Sequence, residues 1–249
     1  MRDLVNVFIY LVIYHAINIF VQGSLRKKKL NPYKIVVMIS PMNILLILYF
    51  AYLTDLNSKQ MGFTPGNTFL GLLMILIVFV YVFISVRSIL KAPSKEIRKI
   101  RYGITSNRIY QYLYGWVIVG IVEEFLFRGY LQGNLDRFFN ESFLTLRVST
   151  LLASGIFVLI HTGNVISRFE TWKQFFKQLP LRLFGALLLG YTFQITDSLI
   201  YPIIMHNLID GSSMTAIIFR KQKMKLEARA REARVQEVVK GRESESSRK

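Results

Sequence analysis

The sequence predicts an all-α membrane protein, a polytopic bundle of about seven transmembrane helices with its N-terminus outside and its C-terminus inside. Three observations predict it: separate apolar runs of near-spanning length, basic clusters confined to alternate connections, and few ionisable residues within the runs. Of 249 residues 52% are hydrophobic, and the mean hydropathy is +0.36. A water-soluble chain of this composition would need several helices apolar on every face.

In chain order the runs are 4–21, 35–53, 69–90, 109–131, 143–161, 181–195 and 199–219. Each is near the ~20 residues a bilayer core demands, the sixth being short. The first is too long for a signal-peptide core and is followed by no small-residue cleavage site, so it is expected to stay as a span. Pro32 and Pro41 flank the start of the second, Pro65 and Gly66 turn the loop after it, and Pro180 is expected to open the sixth at a tolerated first-turn position. Basic residues gather at Arg26–Lys29 with Lys34, at Lys91, Lys95, Arg98, Lys99, Arg101 and Arg108, at Arg168, Lys173 and Lys177, and from Arg220 onward. If every run crosses once, these four stretches share one side. The connections 54–68, 132–142 and 196–198 share the other and hold few basic residues, so the basic side is inside.

Segment 165–179 mixes Ile166, Phe169, Trp172, Phe175, Phe176 and Leu179 with Arg168, Lys173 and Lys177. It reads either as an amphipathic helix on the inner surface or as an interfacial loop with anchoring aromatics. The tail has eleven basic residues against five acidic ones; its first half is expected to be helical and its end disordered. Attraction to anionic lipid headgroups accounts for the tail and the basic loops. The formal net charge of +17 therefore needs no nucleic-acid partner. The chain divides into N-terminal helices with a basic loop (1–108), a membrane core (109–219) and a basic tail (220–249). No cysteine occurs, which excludes disulfides, thiolate catalysis and cysteine-ligated metal centres.

The stretch that demands explanation is Glu123-Glu124-Phe125-Leu126-Phe127-Arg128-Gly129, because ionisable groups at membrane depth cost several kcal/mol unless paired or functional. Helical spacing puts Glu124 and Arg128 on one face as an i, i+4 ion pair and turns Glu123 away by ~100°. His161 ends the fifth run, four residues after Phe157. In the seventh, His206 and Asp210 stand one turn apart on a common face, with Asn207 on a different one. His15 has no charged companion nearby and is read as structural. Two Glu, one Arg, two His and one Asp over three helices could polarise water and stabilise an oxyanion, or bind a divalent metal such as zinc. A proton relay in a transporter is the weaker reading, since inverted repeats and paired broken helices are missing.

These residues resemble the CAAX protease and bacteriocin-processing (Abi) family of intramembrane proteases. The family pattern of Glu-Glu-x-x-x-Arg, Phe-x-x-x-His and His-x-x-x-Asn/Asp reads here as Glu123-Glu124…Arg128, Phe157…His161 and His206…Asp210, in the expected order and in separate runs. The resemblance covers about 110–211. It implies hydrolysis of a peptide bond in a membrane-associated peptide or protein, with Glu123 as general base assisted by His161. Glu124 paired with Arg128 would hold the geometry, and His206 with Asp210 would stabilise the oxyanion. An Asp donates a hydrogen bond only when protonated, so Asp210 could instead orient His206 or join Glu123, His161 and His206 around a metal; Asn207 is the second-choice donor. No metal is favoured. The rival class is a non-catalytic bacteriocin-immunity or scaffolding protein of the same fold. Small size, the missing cysteine and an Ile/Lys/Phe/Asn-rich composition point to a bacterial cytoplasmic membrane.

Overall fold

Apolar runs of this length fold into helices, which satisfy their own backbone hydrogen bonds where no water is available. The computed structural model describes residues 2–100, 108–139, 141–167 and 170–246. Arg101, Arg168, Phe169, Arg248 and Lys249 of the expected basic and aromatic clusters lie outside the described residues. Helices α1 (Arg2–Arg26), α2 (Pro32–Leu53), α3 (Thr68–Lys91) and the short α4 (Ser94–Lys99) come first. A continuous helical rod, α5, covers 109–135. Two π-helical stretches, Tyr114–Ile118 and Phe125–Gln132, widen it on either side of an α-helical Val119–Glu124. A small antiparallel hairpin, β1 (Ser142–Phe143) and β2 (Leu146–Arg147), leads into α6 (Val148–Ile160), α7 (Thr162–Ile166), α8 (Trp172–Thr196) and α9 (Ile200–Ser246).

Among the described residues five segments are long and apolar enough to cross a membrane: Asp3–Arg26, Pro32–Leu53, Thr68–Lys91, Val148–Ile166 and Trp172–Thr196. The expected runs 109–131 and 199–219 are helical too, within α5 and α9, and are the two that carry paired ionisable residues. The chain is thus an all-α, multi-pass membrane protein.

Three local expectations are corrected. Trp172–Leu179 is no separate surface helix but the opening turns of α8, where Thr171 and Gln174 form a reciprocal capping box. Pro180 accordingly lies inside α8 rather than at its start. The tail is helical as far as Ser246, the last described residue, as a direct continuation of α9, where its composition predicts a disordered end.

The connections expected to share a side meet at one end of the bundle. Leu199 N donates to Gly62 O at 2.9 Å, Asn67 N to Thr196 O at 3.0 Å, and the Ser198 and Tyr201 hydroxyls to Thr64 O and Pro65 O. Gly66 sits at φ +59, where a Cβ would stand 2.0 Å from Thr196 O, so only glycine allows this contact. Asn134 and Arg137 at the end of α5 reach Thr54 in the same loop. At the opposite end, Arg220 donates to Ala92 O at 2.9 Å and Lys221 to Ile100 O, joining the tail to the basic loop. Between the two ends α5 is the buried centre: Leu126, Phe127, Tyr130 and Leu131 pack with Val7 of α1 and Ile47 of α2, and Tyr130 OH donates to Val7 O at 3.1 Å.

Candidate active site

Glu124 and Arg128 keep their one-turn offset on the buried face of α5, with Arg128 Nε donating to Glu124 Oε2 at 3.0 Å. Both side chains are fully buried. The guanidinium also lies over the Phe157 ring, 5.3 Å from its centre, and Nη1 stands 3.5 Å from Ser154 Oγ. The other oxygen of Glu124, Oε1, accepts from His206 Nδ1 at 2.7 Å. An unbroken buried line thus runs from Arg128 through Glu124 to His206, joining α5 to α9.

Glu123, one residue earlier, turns into a cavity of about 440 Å³ and keeps 29% of its side chain exposed. His161, His206, Asp210 and Phe157 line the same cavity. Nε2 of His206 lies 3.8 Å from Glu123 Oε2 and 3.7 Å from Asp210 Oδ2. His161 Nδ1 is 2.8 Å from the Phe157 carbonyl oxygen, which can only accept, so this nitrogen carries a proton and Nε2 is the one left for other partners. Phe157 is the wall against which the site is built: its ring meets Phe127, His161 and His206 at centroid distances of 4.8, 4.7 and 6.0 Å.

Sequence boundaries place the glutamates and His161 at different depths; the structure brings them to one level. The rod α5 ends at Leu135 rather than 131, and α6 begins at Val148 rather than 143. Counted in residues, Glu123 stands twelve before the end of α5 and His161 thirteen after the start of α6.

Asn207 is not brought into the cavity. Its Oδ1 accepts from Gly120 N at 2.9 Å, locking α9 against α5 where a Cβ on Gly120 would stand 2.5 Å from that oxygen. Nor is His15 part of the site: it lies on α1 edge-on to Tyr14, with Nε2 buried and without a hydrogen-bond partner.

Several lining residues carried no sequence signal. Tyr81 and Ser85 come from α3, and Arg182 from α8, where it is bidentate with Glu170 at 2.8 and 2.7 Å. The bond between Glu124 and His206 also escapes a reading by spacing, because it spans 82 positions. Among the described residues no three His, Asp or Glu side chains stand as a group that could hold a metal ion. His206 Nδ1 is bonded to Glu124, which leaves Nε2 as the ring nitrogen facing Glu123 and Asp210.

Residues 105–212 match the family of type II CAAX prenyl endopeptidases, Rce1-like. The chain carries an Rce1-like domain. All of Glu123, Glu124, Arg128, Phe157, His161, His206 and Asp210 fall inside it, in agreement with the resemblance those residues carry. No curated protein and no solved structure matches the chain. Helices α1 to α3 lie before the Rce1-like domain in sequence, yet α3 supplies part of its cavity wall.

Proposed function

We propose that the chain is an intramembrane endopeptidase that hydrolyses a peptide bond of a membrane-associated peptide or protein by a glutamate mechanism. The observation that carries this reading is the convergence of Glu123, His161, His206 and Asp210, from three helices, on one cavity inside an Rce1-like domain. Glu123, half-open to the cavity, removes a proton from water with the help of His161 as the water oxygen adds to the peptide carbonyl carbon. The carbonyl π electrons move to oxygen, and this oxyanion is stabilised on the His206 and Asp210 side. The adduct then collapses: the C–N bond breaks and the amine leaves with the proton that Glu123 had taken. Glu124, braced by Arg128, holds the His206 ring in place throughout. No step is assigned to a metal.

The basic end of the bundle faces the cytoplasm in this reading, with the N-terminus outside, in a bacterial cytoplasmic membrane. Anionic headgroups meet the basic loops and tail. Comparing membrane peptides from cells expressing the wild-type chain and Glu123→Gln tests the activity. At least one peptide pair, precursor lost and product gained, is expected in the wild type alone, because a general base supplies roughly 10²–10⁴ in rate. Identical peptide pools would overturn the reading and favour the non-catalytic class. Thorough chelation is expected to leave cleavage of that peptide unchanged, whereas loss restored by zinc would replace the glutamate mechanism with a metal-dependent one.

A further inference from the structure

Oxyanion stabilisation needs hydrogen-bond donors aimed into the cavity, and the residues that resemble the family motifs are poor in them. Glu123 and Asp210, as carboxylates, accept only. His161 has its Nδ1 proton directed at the Phe157 carbonyl, and His206 has its Nδ1 proton directed at Glu124. A neutral ring of either kind presents Nε2 as an acceptor. A protonated His206 adds one N–H at Nε2, which stands 3.8 and 3.7 Å from the Glu123 and Asp210 oxygens, beyond hydrogen-bond distance; it gives the oxyanion a single cationic donor and leaves a second, neutral one to be found.

The face of α3 that packs along α9 supplies what is missing. Met74 and Val78 of that face pack with Met205 of α9 in an apolar cluster that takes in Val82 and Ile209 as well. One turn on, the same face turns polar with Tyr81 and Ser85, at the level of the cavity, which both residues line. Tyr81 lines the same cavity as Asp210, and its ring packs at a tilt on Phe184 of α8, centroids 6.2 Å apart. A phenol so fixed is a neutral donor on a stiff, two-torsion side chain.

We propose that Tyr81 is the neutral hydrogen-bond donor to the oxyanion, supplied from α3, outside the Rce1-like domain. The inference rests on the proteolytic reading above. It explains how a site with Asp at position 210 retains a donor: the phenol O–H points to the developing alkoxide, while the Asp210 carboxylate faces His206.

The test uses the full-length chain in detergent or vesicles, with the membrane peptide that distinguishes wild type from Glu123→Gln as the substrate. Tyr81→Phe keeps the ring on Phe184 and removes only the hydroxyl. It is expected to lower kcat about a hundredfold, as loss of one oxyanion donor does, with KM changed less than about threefold. Adding Asp210→Asn to Tyr81→Phe places an amide donor beside the same oxygen and is expected to recover at least about tenfold of the lost turnover. Rates are normalised to folded protein by thermal melting, so a folding defect does not count as a loss of turnover. Tyr81→Phe with kcat within about twofold of wild type, or no recovery in the double variant, overturns the proposal while leaving the proteolytic reading intact. An active Glu123→Gln overturns the reading itself.

Discussion

From Arg128 through Glu124 to His206, three buried side chains share protons and charge with almost no access to water. A buried pair repays its desolvation only when every member is matched, and removing one partner strands the other at a cost of about 3–5 kcal/mol. Arg128→Met is therefore expected to destabilise the protein by about that amount, read as a lower thermal transition in detergent. Cleavage should be lost with it, because Glu124 would no longer be held in place for His206. Arg128→Lys should rescue stability only in part: a compact ammonium cannot both bond Glu124 and reach over the Phe157 ring as the guanidinium does. Of this trio, the i, i+4 pairing of Glu124 with Arg128 was legible in the sequence, since helix periodicity alone brings those side chains together. The bond to His206 was not, since it depends on how α9 packs on α5.

That packing depends on small residues. Gly120 lets Asn207 and the Ile203 carbonyl approach α5, and on the other helix Gly211 lies where a Cβ would come 2.3 Å from the Trp116 ring. A Cβ at Gly120 would stand 2.5 Å from Asn207 Oδ1 and 2.9 Å from Ile203 O, so α9 must shift away. Gly120→Ala is expected to keep the helical circular dichroism of the wild type while cutting turnover about a hundredfold, the penalty for a misplacement near 1 Å at a reacting centre. Gly155→Ala, where nothing lies within 4 Å of the added carbon, serves as the control and should leave turnover unchanged. The two π-helical stretches of α5 belong to the same scale. They flank the glutamates, as such irregularities often flank functional sites, and no residue pattern announced them. Likewise Pro180 read as a helix start yet lies inside α8, because the Thr171 capping box begins that helix earlier and outweighs the local preference of proline.

Across the whole molecule, the connections 54–68, 136–147 and 197–199 gather at one end, and the basic loop and the start of the tail meet at the other. Which end faces the cytoplasm is a question of charge, and the positive-inside rule assigns the basic end to it. A chain without cysteine makes the test clean, because any introduced thiol is unique. Ser58→Cys, in the exposed loop between α2 and α3, should react with a membrane-impermeant maleimide on intact cells, and Arg231→Cys, on the exposed tail helix, only after permeabilisation. The opposite pattern would invert the topology and place the basic loop and the tail on the outer side.

Sequence by itself determined the class of the molecule and the inventory of its site. Apolar run length dictates membrane helices, alternating basic connections dictate which loops travel together, and ionisable residues within the runs mark Glu123, Glu124, Arg128, His161, His206 and Asp210. Tertiary structure alone decided their common depth, the commitment of His206 to Glu124, the removal of Asn207 from the cavity and the entry of Tyr81 into it. The physical reason is one of range. The helical repeat fixes neighbours three or four residues apart, whereas contacts between helices follow from which small residues let two backbones approach, a property of pairs that no single run contains.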